Sequence, residues 1–267
     1  WRTRTEIEFE LDLLHFLHRH HLPVAYPLET QTGDLSIEID APEGKRYAAL
    51  FVYAPGTIAL GDLNLVQSHK LGETVAKLHH TALTFQSQAY RQPLTLEYLL
   101  DQSFQTIAPF LQDKPHDLSY LIESVDQIKS QLQHFPQDPP LWSVCWGDPH
   151  SGNVHFTEDN QLMLFDFDQC GYGWRIFEIA KFLQVSLNSG LAPKIREAFI
   201  QGYQSVTVLQ PDELAALQAF TAAAHIWSWS ICLTHTMFHD YSRLDTSYFH
   251  HRIEHLKMLR SPDWHLF

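Results

Sequence analysis

The chain has 267 residues, of which 45% are hydrophobic and 13% aromatic, and its formal net charge is −13 at pH 7. This length and apolar content suffice to bury a large core, and we expect one compact unit with two lobes. The charge argues against a nucleic-acid partner, because binding a phosphate backbone requires a basic face. An acidic surface suits a cationic ligand, and it is also a common route to solubility.

The first predicted element is an amphipathic helix over residues 5–18. Apolar side chains recur there at spacings of three and four residues, the pattern of a helix with one buried face. Glu10 falls on this apolar stripe. A carboxylate on an inward face needs a partner. The alternative is a boundary residue whose carboxylate reaches solvent.

Residues 35–39 and 47–53 are predicted to form a β-hairpin that turns at Glu43-Gly44. The second strand leads into Tyr53-Ala54-Pro55-Gly56. Proline and glycine are typical of a rigid linker, and they are equally typical of any loop. Farther along, residues 71–80 have the apolar spacing of a core helix.

Most of the functional information lies in two neighbouring loops. Asp148 occupies a Gly-Asp-Pro turn, and Asn153 follows five residues later. The strands Val154–Phe156 and Leu162–Phe165 are predicted to form a hairpin that brings Asp166 to the same edge. Phosphoryl transfer needs such a set, with one group to orient a hydroxyl nucleophile and two to hold a metal ion on the nucleotide phosphates. The alternative is a hairpin with ordinary Asp, Asn and Gly turn residues.

The remainder of the chain, from about residue 183, is predicted to be helical. The stretch Phe220–Phe238 is apolar, but it contains polar residues such as His225 and Ser228 and has no charged flank on its N-terminal side. This pattern favours a buried core helix over a membrane span. Trp227 and Trp229 on this stretch are interpreted as core residues, with an acceptor pocket as the alternative.

The cysteines and histidines do not have the spacing of a metal site. The three cysteines are far apart and are interpreted as reduced thiols, which together with the lack of a signal peptide predicts a cytoplasmic protein. Most of the eighteen histidines are interpreted as solvated surface residues, because no acid or cysteine stands among them at ligand spacing. The histidine clusters are His15, His18, His20 and His21, the pair His79-His80 and the pair His250-His251.

The loop Gly147-Asp148-Pro-His-Ser-Gly-Asn153 and the segment Phe165-Asp166-Phe-Asp168 resemble the catalytic and metal-binding loops of the aminoglycoside phosphotransferase and choline kinase superfamily. Within this superfamily, the chain most resembles the bacterial stress-response Ser/Thr kinase branch. The resemblance implies an α+β, bilobal, protein-kinase-like fold with a small N-lobe sheet, here incomplete, and a large, mainly helical C-lobe. We expect the partial N-lobe to span residues 1–53, and the hinge and C-lobe residues 54–267.

The resemblance also assigns roles in the two loops. Asp148 becomes the catalytic aspartate that orients the acceptor hydroxyl or accepts its proton. Asn153 and Asp166 become ligands of Mg²⁺, the ion that accompanies ATP in these enzymes. Asp168 is either a neighbour of the metal or a solvated acid.

For the nucleotide, the resemblance points to the N-lobe. Glu10 corresponds to the helix glutamate that pairs with a strand lysine or arginine and orients the phosphates. Val52, through its carbonyl, and Ala54, through its amide, correspond to the hinge groups that take the adenine edge. We expect the pairing strand and the glycine-rich phosphate loop to lie upstream of Trp1, either trimmed, disordered or lost.

Two residues depart from the family pattern. Trp146 stands where relatives have histidine, and we expect it to pack the loop without the same polar contacts. Glu178 stands where relatives have an aspartate that braces the catalytic loop, and we expect it to keep that structural role through its extra methylene.

The predicted function is transfer of the ATP γ-phosphoryl group to a hydroxyl acceptor. The acceptor is either a small molecule, such as an amino alcohol or an aminoglycoside-like compound, or a protein Ser/Thr; no nucleic-acid or membrane partner is expected. The alternative is a nucleotide-binding pseudokinase or interaction module, which the two departures and the missing phosphate loop favour. The intact Asp148, Asn153 and Asp166 favour catalysis.

Overall fold

Helices make up most of the fold, and short antiparallel strands carry the loops of interest. The computed structural model describes residues 2–42, 44–59, 63–239 and 244–264, the side chains of 236–239 excepted. The helices are α1 Arg4–Arg19, α2 Leu65–Ala82, α3 Ser103–Ile107, α4 Pro115–Leu132, α5 Arg175–Asn188, α6 Pro193–Gln204, α7 Pro211–His239 and α8 Thr246–Leu259. The strands are β1 Ile37–Ala41, β2 Gly44–Ala48, β3 Thr57–Ile58, β4 Trp142–Cys145, β5 Val154–Phe156, β6 Leu162–Leu164 and β7 Gly171–Trp174.

The predicted first helix is confirmed as α1. Its N-terminus is closed by a capping box, in which the Glu6 amide donates to the Thr3 hydroxyl and the Thr3 amide donates to the Glu6 carboxylate. This arrangement satisfies two amides that the first turn leaves without partners. The apolar face is buried in the core through Phe9, Leu13 and Leu17.

The predicted hairpin is present as β1 and β2, but both strands are displaced from the predicted ranges. β2 ends at Ala48, and the chain beyond it lies beside the segment that follows α1. There the Val52 amide donates to the Tyr26 carbonyl at 3.0 Å and the Leu28 amide to the Leu50 carbonyl at 2.7 Å. An apolar pattern does not reveal which neighbour a strand pairs with, so the prediction merged two segments into one. Glu43 of the predicted turn lies outside the described residues.

The hairpin that carries Asp166 is confirmed. β5 and β6 pair antiparallel, with Val154 opposite Leu164, and β3 pairs with the other side of β5. The open edge of β6 receives the segment after α1, since Leu164 exchanges backbone hydrogen bonds of 2.8 Å with Pro23 and Ala25. The same segment also pairs with residues 50–52, so it joins the predicted hinge to the strand that leads to Asp166.

The large lobe is helical, as predicted. α7 is the buried core helix expected over Phe220–Phe238, and Trp227 and Trp229 are at most 1% exposed. Among the described residues, no helix is both long and apolar enough to cross a membrane. Arg175 at the start of α5 donates to the Glu213 carboxylate of α7 at 2.7 and 2.6 Å, and this buried ion pair ties the two helices together.

Helices α2 and α6 approach each other closely because each has a glycine at the crossing. A β-carbon at Gly72 would lie 1.9 Å from the Phe199 carbonyl oxygen, and one at Gly202 would lie 1.8 Å from the His69 carbonyl oxygen. Both clashing atoms belong to the backbone, so a change of side-chain rotamer cannot relieve the clash. Any larger residue must push the helices apart.

We expect Gly202→Ala to lower the midpoint of thermal unfolding, measured by circular dichroism. Replacing a helical glycine by alanine ordinarily stabilises a protein by about 1 kcal/mol. Here the added methyl group collides with the backbone of α2, so the sign of the effect is reversed. An unchanged or raised midpoint would show that the two helices are not held in contact.

Candidate active site

Residues 146–153, here called the catalytic loop after their predicted role, lie against residues 165–170, called the metal loop for the same reason. The contact is possible because Gly147 lets the two backbones touch. Gly147 has φ +93°. A β-carbon there would lie 2.1 Å from the carbonyl oxygen of Gln169. Both the left-handed conformation and the close approach require glycine. The Gly-Asp sequence therefore fixes the position of Asp148 relative to Asp166.

Trp146 packs the loop, as expected, and it also makes polar contacts of its own. Its indole Nε1 donates to the carbonyl oxygens of Phe165 at 3.1 Å and Asp166 at 2.9 Å. Its ring also stacks on Phe167, with centroids 5.6 Å apart. Asp166 has a left-handed backbone, φ +57°, which costs energy outside glycine and needs support from its surroundings. The Trp146 N–H supplies part of that support.

The Glu178 carboxylate holds the catalytic loop through hydrogen bonds to its backbone. This carboxylate, fully buried, accepts from the Trp146 amide at 2.5 Å and from the Gly147 amide at 2.9 Å. A carboxylate can take one amide on each oxygen, and hydrogen bonds to a charged acceptor are stronger than neutral ones. The contacts are those that a bracing role requires.

His79 completes this network and is not a surface residue, contrary to prediction. Its Nε2 lies 3.3 Å from Glu178 and its Nδ1 lies 2.8 Å from the Tyr203 hydroxyl. His79, Cys145 and Glu178 offer donor atoms within 4.8 Å of one another, as a metal site would. However, Cys145 donates its thiol hydrogen to the Trp174 carbonyl, and burial raises the pKa of that thiol. The group is therefore satisfied by protein partners.

Asp148 is held through both carboxylate oxygens. Lys181 Nζ lies 2.8 Å from Oδ1, and His150 Nε2 lies 3.3 Å from Oδ2. Burial alone would raise the pKa of Asp148, but the hydrogen bond from His150 and the charge of Lys181 hold that pKa well below its usual range. The carboxylate is ionised at neutral pH.

Neither His150 nor Lys181 was singled out by sequence reasoning. His150 Nδ1 accepts from the Gly152 amide at 2.9 Å, so its proton is on Nε2, where it donates to Asp148. A signal for Lys181 did exist, because it follows Glu178 by three residues and therefore lies on the same face of α5.

Hydrogen bonds join Asn153 both to Asp148 and to the residue that precedes Asp166. The Asn153 side chain donates from Nδ2 to the backbone carbonyl of Asp148 at 3.1 Å. The backbone carbonyl of Asn153 accepts from the Phe165 amide at 3.1 Å. Burial, and then the charge of Asp168, raise the pKa of Asp166. Asp166 and Asp168 repel each other, and a bound cation would relieve that repulsion. Their carboxylates and the Asn153 side-chain oxygen are the kind of ligands that a hard cation prefers.

A cavity of about 520 Å³ unites the other predicted residues. Its lining includes Glu10, Val52, Ala54 and Asp166, which lie on three separate segments of the chain. The Ala54 carbonyl accepts from His155 Nδ1 at 2.7 Å. Within the described ranges, the Val52 carbonyl and the Ala54 amide have no hydrogen-bonding partner in the protein. The cavity thus presents one free acceptor and one free donor at its hinge side.

Glu10 has a nearby basic partner in the described structure. Arg2 Nη1 lies 3.1 Å from its carboxylate, and Arg2 Nη2 lies 2.9 Å from the Asp168 carboxylate. Burial raises the pKa of Glu10, and the Arg2 charge opposes this shift. The guanidinium therefore connects α1 to the metal loop.

The chain belongs to the phosphotransferase enzyme family, whose model matches residues 2–220. The predicted superfamily and enzyme class, a kinase that uses an alcohol group as acceptor, are confirmed. An uncharacterized protein of Synechocystis sp. is 55% identical over 267 residues, which cover all of this chain and 74% of that protein.

Two solved structures have the same fold. A microcompartment-associated aminopropanol kinase superposes with a TM-score of 0.82 at 19% identity, covering 99% of this chain and 84% of that one. The amicoumacin kinase hAmiN, in complex with AMP-PNP, Ca²⁺ and Ami, gives 0.78 at 22% identity, covering 99% and 82%. These similarities confirm the kinase-like α+β fold with its helical large lobe and small sheets.

We expect Glu178→Gln to lower kcat, measured at a temperature at which the variant is folded. The side-chain amide of glutamine offers one acceptor to two buried backbone amides, so one of them loses its partner and the loop shifts. The matched control is Glu213→Gln, an equally buried carboxylate whose partner is Arg175, away from the loop. Both variants should lose stability, but only the first should lose turnover. Equal kcat values would remove Glu178 from loop positioning.

Proposed function

We propose that this protein transfers the γ-phosphoryl group of ATP to the hydroxyl of a small molecule, with Mg²⁺ as the metal ion. The observation that carries the proposal is the shared cavity, which joins the hinge at Val52 and Ala54 to Asp166. Nucleotide phosphates placed there would point towards the loop that holds Asp148. An ATP-dependent turnover assay with a panel of amino alcohols tests it directly.

The nucleotide base is proposed to bind at the hinge. The adenine edge offers a donor and an acceptor side by side, and the Ala54 amide and Val52 carbonyl provide the complementary pair. Apolar walls, among them Leu14, Phe51 and Phe165, would cover the faces of the base. The AMP-PNP complex of the relative hAmiN supports a nucleotide in this fold.

Asn153 and Asp166 are proposed to hold the metal. Both offer hard oxygen atoms, which Mg²⁺ and Ca²⁺ prefer, and Mg²⁺ is usually bound by one or two carboxylates together with substrate phosphates. A divalent cation would also relieve the repulsion between Asp166 and Asp168. When bound, it would neutralise charge on the phosphates.

Asp148 is proposed to orient the acceptor hydroxyl. With its pKa held low, this carboxylate is a weak base, and general-base catalysis is most effective with a pKa near the working pH. It can still accept a hydrogen bond from the hydroxyl and aim the oxygen at the phosphorus. Positioning of this kind is the main requirement of a loose phosphoryl-transfer reaction.

The acceptor is proposed to be a small compound that carries a hydroxyl and an amine. One relative is named for aminopropanol and another for amicoumacin, and the acidic surface of this chain suits a cationic ligand. The comparisons do not support the protein Ser/Thr acceptor that the sequence left open. The pseudokinase alternative loses two of its arguments, because Trp146 and Glu178 both make the contacts that an ordered site needs.

We expect Asp148→Asn to reduce kcat on the order of a hundredfold or more while nucleotide affinity changes little. The carboxylate acts on the acceptor hydroxyl, and asparagine offers only one acceptor oxygen where Lys181 and His150 now bind two. Steady-state kinetics and calorimetry with Mg·ATP measure the two quantities separately. Turnover close to that of the unmodified enzyme would exclude Asp148 from the mechanism.

We expect Asp166→Ala to weaken ATP binding only when Mg²⁺ is present. Without metal, the Asp166 carboxylate only repels the phosphates, so ATP binding measured by calorimetry in EDTA should not weaken when it is removed. Asp168→Ala is the comparison, because Asp168 pairs with Arg2 and should affect the Mg²⁺ dependence less. If Asp166→Ala binds Mg·ATP as tightly as the parent, the metal is held elsewhere.

A further inference from the structure

Lys181 is a buried charged residue on α5. Its side chain is 7% exposed, and its neighbours Ala180, Phe182 and Leu183 are buried in the core. A buried ammonium group is costly unless it is paired. Of the acids in the described part of the chain, Asp148 is the one at ion-pair distance, with Nζ 2.8 Å from Oδ1.

Lys181 and Glu178 act on the same loop from one face of α5. Glu178 takes the backbone amides of Trp146 and Gly147, at 2.5 and 2.9 Å. Lys181 then reaches the side chain of the next residue, Asp148. Helix α5 therefore fixes both the path of the catalytic loop and the orientation of the Asp148 carboxylate.

The second contact to Asp148 is looser. His150 lies 3.3 Å from Oδ2 and its side chain is 28% exposed, whereas the Lys181 contact is shorter and nearly enclosed. A carboxylate held at one oxygen by a rigid buried donor cannot rotate freely. Its remaining lone pairs then keep a constant direction.

We propose that Lys181 is a positioning residue for phosphoryl transfer, whose ammonium fixes the orientation of the Asp148 carboxylate towards the acceptor hydroxyl. The inference rests on the proposed function. Lys181 acts through Asp148 and makes no contact with the nucleotide hinge, so its loss affects the chemical step and leaves nucleotide binding intact.

The experiment compares Lys181→Met and Lys181→Arg with Arg175→Met. Arg175 is a matched control, because it is a buried cation on the same helix, and its partner Glu213 is remote from the catalytic loop. Lys181→Met should lower kcat by about tenfold to a hundredfold, the usual effect of a reacting group misplaced by about 1 Å. The dissociation constant of Mg·ATP should stay within about twofold by the same reasoning. Lys181→Arg should recover much of the lost kcat, since a guanidinium retains donors for Oδ1.

Two results would overturn the proposal. One is a kcat for Lys181→Met within about twofold of the parent, compared at equal folded fraction. The other is a joint loss of kcat, Mg·ATP affinity and unfolding midpoint that matches Arg175→Met and is not recovered by arginine, because this is the outcome of a purely structural role.

A double-mutant cycle in unfolding midpoint separates this inference from the proposed function. If Lys181 and Asp148 interact, Lys181→Met combined with Asp148→Asn should lose less than the sum of the two single losses. Additive losses would overturn the pairing whether or not the enzyme turns over. Coupled losses with no turnover by the parent protein on any acceptor would instead refute the proposed function while the ion pair stands.

Discussion

The candidate active site depends on one buried negative charge, the Glu178 carboxylate that hydrogen-bonds to the catalytic loop. Such a charge is tolerated only when its oxygens are fully hydrogen-bonded. The required donors are the amides of Trp146 and Gly147 together with His79. The need to satisfy Glu178 therefore determines the path of the loop, and Gly147 then allows the loop to touch the metal loop. The placement of Asp148 beside Asn153 and Asp166 follows from these two conditions.

Charge pairing explains why a divalent ion would be required for a nucleotide to bind in the proposed site. Lys181 is engaged by Asp148, and Arg2 by Glu10 and Asp168. In the part of the chain that the structure describes, these cations are thus already balanced by acids. A nucleotide brings further negative charge into a region that contains Asp166 and Asp168. The two acids raise the cost of binding ATP alone and lower the cost of binding it with a metal, so nucleotide and metal affinities should be coupled.

The local features of the site could be predicted from the sequence, and the long-range ones could not. Asp148, Asn153 and Asp166 lie on loops whose strands have clear apolar patterns, so their proximity followed from a hairpin. The bracing role of Glu178 came from the family resemblance. Lys181 was missed because its partner is distant in sequence, and a lysine on a helix ordinarily suggests a solvated face. The predicted strand boundaries near Val52 were wrong for a similar reason. Pairing with the segment after α1 leaves no signal in the local sequence pattern.

The substitution at position 146 shows what this site requires of that residue. The family resemblance places a histidine there, and we expected tryptophan to pack the loop without the same polar contacts. The indole instead donates one N–H to two carbonyl oxygens of the metal loop, while its ring packs on Phe167. The metal loop needs a hydrogen-bond donor next to these two carbonyl oxygens and an apolar surface beside that donor, and an indole supplies both. Likewise, the longer Glu178 still takes one amide on each oxygen. A motif that is altered at two positions can therefore still hold its two loops together through hydrogen bonds, so loss of motif identity at these positions is not evidence for loss of catalysis.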